Sequence, residues 1–90
     1  MDALMELGAA HIKEGRHEKA ADAYRRVLAR DELHEEAVVA LMRCHAQLGE
    51  RPQALRVYRR FADRLRDELG AEPADATTRL CERLQLGADS

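Results

Sequence analysis

Residues Leu33 to Pro73 read LHEEAVVALMRCHAQLGERPQALRVYRRFADRLRDELGAEP. Two amphipathic patterns flank a break at Gly49-Glu50-Arg51-Pro52, and a second break follows at Gly70-Ala71-Glu72-Pro73. After the first break, Ala54, Tyr58, Phe61 and Leu65 recur at spacings of four, three and four, with Leu55, Ala62 and Leu69 beside them. This is the period of a helix with one buried face. Before the break, Val38, Leu41, Met42, His45 and Leu48 make a comparable stripe. The stretch therefore predicts an antiparallel helical hairpin.

The flanking residues extend the pattern. Asp2 is placed to cap a first helix that runs to about Glu14, where Gly15 supplies a left-handed stop. A second helix is expected from about His17 to Arg30, with Ala20, Tyr24, Val27 and Leu28 on its apolar face. Glu35 and Glu36 fall in the first turn of the third helix, where its dipole favours them. Pro52 suits the first turn of the fourth. Asp75 opens a fifth helix carrying Leu80 and Leu84, and the tail 87–90 is expected to fray. No segment alternates like a strand.

Shifting the chain by 34 residues aligns it with itself. Ala3, Leu7, His11, Gly15, Ala20, Tyr24, Arg25, Arg26 and Arg30 meet identical residues at 37, 41, 45, 49, 54, 58, 59, 60 and 64. Nine identities in this Ala- and Arg-rich chain exceed the roughly three or four of chance. Small Ala20 and Ala54 let the second helix of each pair approach its partner, with Tyr24 and Tyr58 one turn later. Tyr58 is expected to be buried where the third, fourth and fifth helices meet. The period and pattern resemble the tetratricopeptide repeat. Leu4, Leu7, Gly8, Ala20 and Tyr24 stand at that motif's offsets in the first copy, and Leu41, Ala54 and Tyr58 in the second. Met42 replaces the expected Gly, and Glu32 and Arg66 replace the terminal Pro.

A narrower resemblance covers Asp31 to Leu84. The residues that carry it are Leu33-His34-Glu35-Glu36, Leu41-Met42-Arg43, Leu48-Gly49, Ala54-Leu55-Arg56, Tyr58-Arg59, Glu68-Leu69-Gly70-Ala71-Glu72-Pro73 and Glu82-Arg83-Leu84. Together they resemble the bacterial transcriptional activator domain of SARP-type regulators. Glu32 stands where that family usually has Pro, and Cys81 where it often has an aromatic residue. The resemblance implies a protein-interaction domain that regulates or positions a winged-helix DNA-binding domain, itself absent here. It also implies further helices before the first, so that the chain corresponds to the C-terminal two-thirds of the family domain.

Composition narrows the function classes. Ninety residues make one small domain with a modest core. Charged residues are 36% of the chain, yet the net charge is −2, which argues against affinity built on phosphate neutralisation. Arg56, Arg59, Arg60, Arg64 and Arg66 crowd the fourth helix, but Asp63, Asp67 and Glu68 lie among them. A solvated or partner-facing ion-pair surface is the reading, and no appreciable DNA binding is expected of the chain itself. His11 and His45 occupy equivalent positions, but a lone His pair is weak ground for a metal, and they replace an aromatic in the packing. His17 and His34, near helix starts, are expected to be solvated. Cys44 and Cys81 fit no metal or redox spacing, and a disulfide between them stays open on sequence alone. Cys44 beside Arg43 and His45 reads as an inert thiol, since neighbours in a helix point different ways. With no targeting segment and no membrane-length apolar run, a cytoplasmic setting is the default. No nucleophile–base motif, phosphate loop or cofactor signature occurs, so an enzyme and a small-molecule substrate are not expected.

The sequence thus predicts an all-α, tetratricopeptide-like right-handed solenoid over 1–86. Repeat one is 1–34, repeat two 35–68, and a capping helix lies at about 75–85. The alternative to the activator reading is a free-standing tetratricopeptide adaptor holding a peptide from an unrelated partner. In either case the first helix of each pair lines a partner groove, here Met5, Ala9 and Ile12 with Val39, Arg43 and Ala46. The first helix is apolar around most of its circumference, and nothing caps the N-terminal end of the array. A homodimer through Leu4, Met5 and Ile12 is therefore expected.

Overall fold

A computed structural model describes residues 2–87. They form five helices: α1 Asp2–Lys13, α2 His17–Arg30, α3 Glu35–Gln47, α4 Arg51–Leu69 and α5 Asp75–Gln85, with no strand among the described residues. The all-α class and the order of the helices follow the sequence pattern. The position before α1 and most of the tail 87–90 lie outside the described residues, so the Asp2 cap and the fraying are not seen here.

The stops are as chemically specific as the stripes. Gly15 and Gly49 both take φ of +75°. At the first, Arg16 N donates to His11 O at 2.8 Å and Gly15 N to Ile12 O at 3.0 Å. At the second, Glu50 N donates to His45 O at 2.7 Å and Gly49 N to Ala46 O at 3.1 Å. Each is a Schellman turn, which needs a left-handed residue after the helix and satisfies carbonyls that would otherwise be orphaned. The start of α3 differs from expectation. His34 is half-buried, and its Nδ1 accepts from Ala37 N at 3.2 Å, so it caps the helix instead of facing solvent. His17, likewise expected in solvent, is half-buried.

Each helix packs against the next in sequence, and α5 returns to touch α3. The buried side chains form two clusters. One joins Ala20, Ala21, Tyr24 and Val27 of α2 to Ala37, Leu41 and Cys44 of α3, with Leu4 and Met5 of α1 against it. The other joins Val38 and Met42 of α3 to Ala54, Phe61 and Leu65 of α4 and to Leu80, Cys81 and Leu84 of α5. Burying Leu80 and Leu84 contributes about 1.5–3 kcal/mol each toward docking α5. Polar contacts fix its ends. Glu35 Oε2 accepts from Ala74 N at 2.8 Å and from Thr77 Oγ1 at 2.6 Å, supplying a cap that α5 lacks on its own. Arg51 Nη2 donates to Gly87 O at 2.7 Å beyond the other end.

The two copies of the repeat part company where their sequences do. Gly8 is buried, and a Cβ there would lie 2.5 Å from Tyr24 Cζ. The tyrosine ring thus lies directly on the α1 backbone, and Tyr24 is buried. In the second copy Met42 stands in place of that glycine and is itself fully buried. Tyr58 is only half-buried, and its hydroxyl meets Thr78 Oγ1 on α5 at 3.1 Å. The expected burial of Tyr58 is corrected accordingly: Met42 and Phe61 fill that part of the core. Leu7, the equivalent of buried Leu41, is 43% exposed, because α1 is flanked chiefly by α2.

Gly8→Ala gains about 1 kcal/mol of helix propensity but forces Tyr24 off its place, a strain of about 1–3 kcal/mol. A net loss of stability is expected on chemical denaturation. The same change in a Tyr24→Leu background should be neutral or stabilising, and additivity of the two substitutions would refute the contact.

Candidate functional site

A cleft of about 730 Å³ runs between α2 and α4. Arg25, Leu28 and Ala29 line the α2 side, with Glu32 just past its end. Gln53, Arg56, Val57, Arg59, Arg60, Phe61 and Arg64 line the α4 side. Val38, Leu41 and His45 of α3 form the floor. The helical period sets both walls: positions three and four apart share a face, which brings 53, 56, 57, 60, 61 and 64 to one side of α4.

Electrostatics divide the arginines. Arg64 is held by Glu32, across the cleft end, and by Glu68 at 3.1 Å one turn along. Arg66 pairs with Asp63 at 3.7 Å, away from the cleft, so Asp63 does not serve Arg60. Arg25, Arg56, Arg59 and Arg60 have no ion-pair partner among the described residues. On the floor, His45 is buried and its Nδ1 donates to Glu50 Oε1 at 2.9 Å. The two cysteines are free and buried, and burial pushes both thiols up from their ordinary range. Nearby Arg25 and Arg59 lower Cys44 and Cys81 respectively, but burial is the larger effect. Burial likewise pushes the Tyr24 phenol up, with Cys44 and Glu36 adding to it. No group of three His, Cys, Asp or Glu side chains placed to hold a metal occurs among the described residues.

A second, shallower cleft of about 380 Å³ lies between α1 and α2. It is lined by Leu7, His11, Lys19, Asp22, Ala23 and Arg26, with Glu18 beside them. These six are the 34-residue counterparts of Leu41, His45, Gln53, Arg56, Val57 and Arg60. The same surface therefore occurs twice, and among the described residues the second copy has a further helix, α2, as its opposite wall. His11 and His45 line different clefts, one each. The copies differ in charge. Asp22 pairs with Arg26 at 3.8 Å, whereas the corresponding Arg56 and Arg60 are like charges one turn apart.

None of the six residues expected to line a partner groove borders either cleft. Met5, Val39 and Ala46 are half-buried, and Ala9, Ile12 and Arg43 are exposed. Of the expected self-association residues, Leu4 and Met5 rest partly against the α2–α3 cluster, while Ile12 is 37% exposed. The cleft between the second helices went unread because its two walls come from opposite sides of equivalent helices. Tyr24-Arg25-Arg26 and Tyr58-Arg59-Arg60 were the available signal. Arg25 lines the cleft from α2, and Arg59 and Arg60 line it from α4.

The described residues define an all-helical domain with an open, charged cleft. Comparison with protein-family models narrows the class. The model described as "BTAD: Bacterial transcriptional activator domain" matches residues 1–85, and the chain belongs to that family. The match begins at residue 1, so it takes in α1 and α2 as well as the stretch from Asp31 onward. The family is one of regulatory activator domains, not of enzymes. Searches of the curated proteins and of the solved structures returned no match. No helix among the described residues is long and apolar enough to cross a membrane.

Proposed function

We propose that this domain is the protein-contact module of a bacterial, cytoplasmic transcription regulator of the SARP type. DNA is contacted by a separate winged-helix domain of the regulator, and this one makes protein contacts that regulate or position it. The helices act as one unit over 1–86, a right-handed tetratricopeptide-like solenoid of two pairs, 1–34 and 35–68, closed by α5. The observation that carries the reading is the α2–α4 cleft, with Val38, Leu41 and His45 as its floor and Arg25, Arg56 and Arg60 on its walls without an ion-pair partner among the described residues, in a member of an activator family. Surfaces of this kind bury apolar side chains and direct charge at a partner. The repeated cleft favours this over the adaptor reading only through the family match, because a free adaptor would use the same surface.

Tethering tests it. Fused to a heterologous DNA-binding domain in the source bacterium, this domain should raise a reporter several-fold, while the unfused domain shows no binding to random duplex at low salt. Micromolar, steeply salt-dependent duplex binding would contradict the reading, as would a folded fusion that leaves the reporter unchanged.

A second surface has its own observation. Leu7 and Ile12 are exposed on α1, beside the half-walled cleft. We propose that α1 is a self-association face, using Ile12 with the partly exposed Leu4 and Met5. Sedimentation over a concentration series should show a dimer that Met5→Glu with Ile12→Glu disperses. A monomer at every concentration, or a dimer indifferent to that pair of changes, would rule it out.

A further inference from the structure

We propose that the α2–α4 cleft binds an acidic segment of a partner protein, its carboxylates meeting Arg25, Arg56 and Arg60 and its apolar side chains entering beside Leu28 and Val57. The inference rests on the reading of the domain as a protein-contact module and names the chemistry of that contact.

Three observations converge on it. First, the arginines here are the unmatched ones. Arg26, Arg64 and Arg66 each have a carboxylate partner, whereas Arg25, Arg56 and Arg60 have none among the described residues. Second, the first copy of the repeat shows what balanced charge looks like at the same positions. Asp22 pairs with Arg26 there, and the second copy puts Arg56 in the place of that aspartate. Arg56 and Arg60 then repel at a spacing of four, and Arg25 adds a third positive charge from the opposite wall. A carboxylate bound between them removes that repulsion and forms bidentate, charge-assisted hydrogen bonds. Third, the walls between the arginines are apolar. Leu28 and Val57 are half-buried at the cleft and offer surface that excludes water from such pairs.

The same features disfavour a nucleic acid. Glu32 stands at one end of the cleft, and Phe61, the aromatic residue lining it, is buried and presents no ring for base stacking. At about 730 Å³ the cleft has room for a few side chains of a chain segment.

The test uses a short fluorescein-labelled peptide with Glu and Leu at helical spacing, and its counterpart with every Glu changed to Gln. Anisotropy should show saturable binding of the Glu peptide, with the Gln peptide about tenfold weaker or more. Arg56→Asp recreates the arrangement of the first copy, so the fold is expected to tolerate it, and it should weaken binding of the Glu peptide by about tenfold. Arg25→Glu should do the same, and Arg43→Glu, on the other side of α3, should do nothing. Backbone amide shifts on titration should cluster at Leu28, Val57 and Arg60. The proposal fails if the two peptides bind alike, if neither binds, if Arg56→Asp has no effect in a folded domain, or if the shifts fall on Met5, Val39 and Arg43. It fails equally if random duplex DNA displaces the peptide. Reporter activation by the tethered domain without peptide binding would leave the protein-contact reading standing and overturn this one. Peptide binding at the cleft without activation would leave the acidic-segment contact standing and overturn the domain's role in a transcription regulator.

Discussion

The structure depends on α3 being buried along two adjacent stripes at once. Ala37, Leu41 and Cys44 pack into the cluster shared with α2, and Val38 and Met42 into the cluster shared with α4 and α5. A helix that serves two cores has little surface left for solvent, and all six of its deeply buried positions, His45 included, are below a tenth exposed. With few aromatics in the chain, those cores are made of small and aliphatic side chains. Close helix approach, not bulk, must then supply the packing, which is why Ala20, Ala37 and Ala54 are all fully buried. The cleft inherits its floor from the same helix. Val38 and Leu41 are held from beneath by both cores, so α2 and α4 stand apart at a spacing that α3 sets.

Much of this was legible in the residues. Gly15 and Gly49 marked the two Schellman turns, and the stripes of Ala20, Tyr24 and Val27 and of Ala54, Phe61 and Leu65 marked the buried faces. What could not be read is instructive in physical terms. Periodicity gives the buried face of a helix but not how many neighbours cover it. Leu7 and Leu41 look alike in sequence and differ in exposure because α3 is covered on two sides and α1 is not. Tyr24 and Tyr58 look alike too. The difference lies in their contact partners, Gly8 and Met42, on another helix. The role of Glu35 at the start of α5 was invisible, since its bonds to Ala74 and Thr77 cross about forty residues of chain.

The cleft adds function to that argument. Repeat architectures generate the same surface in each unit and differentiate it by substitution. Here one exchange, Asp22 against Arg56, turns an ion-paired wall into a cationic one, at the copy that has two walls among the described residues. The chain that carries this surface belongs to the bacterial transcriptional activator domain family.

The central role of α3 is tested most directly by residue-resolved amide hydrogen exchange in the native domain. If α3 joins the two cores, the amides of Leu41, Met42 and Cys44 should exchange only through global unfolding, while those of α1 open at lower free energy. Exchange of the α3 amides as fast as those of α1, with α4 and α5 still protected, would contradict the account.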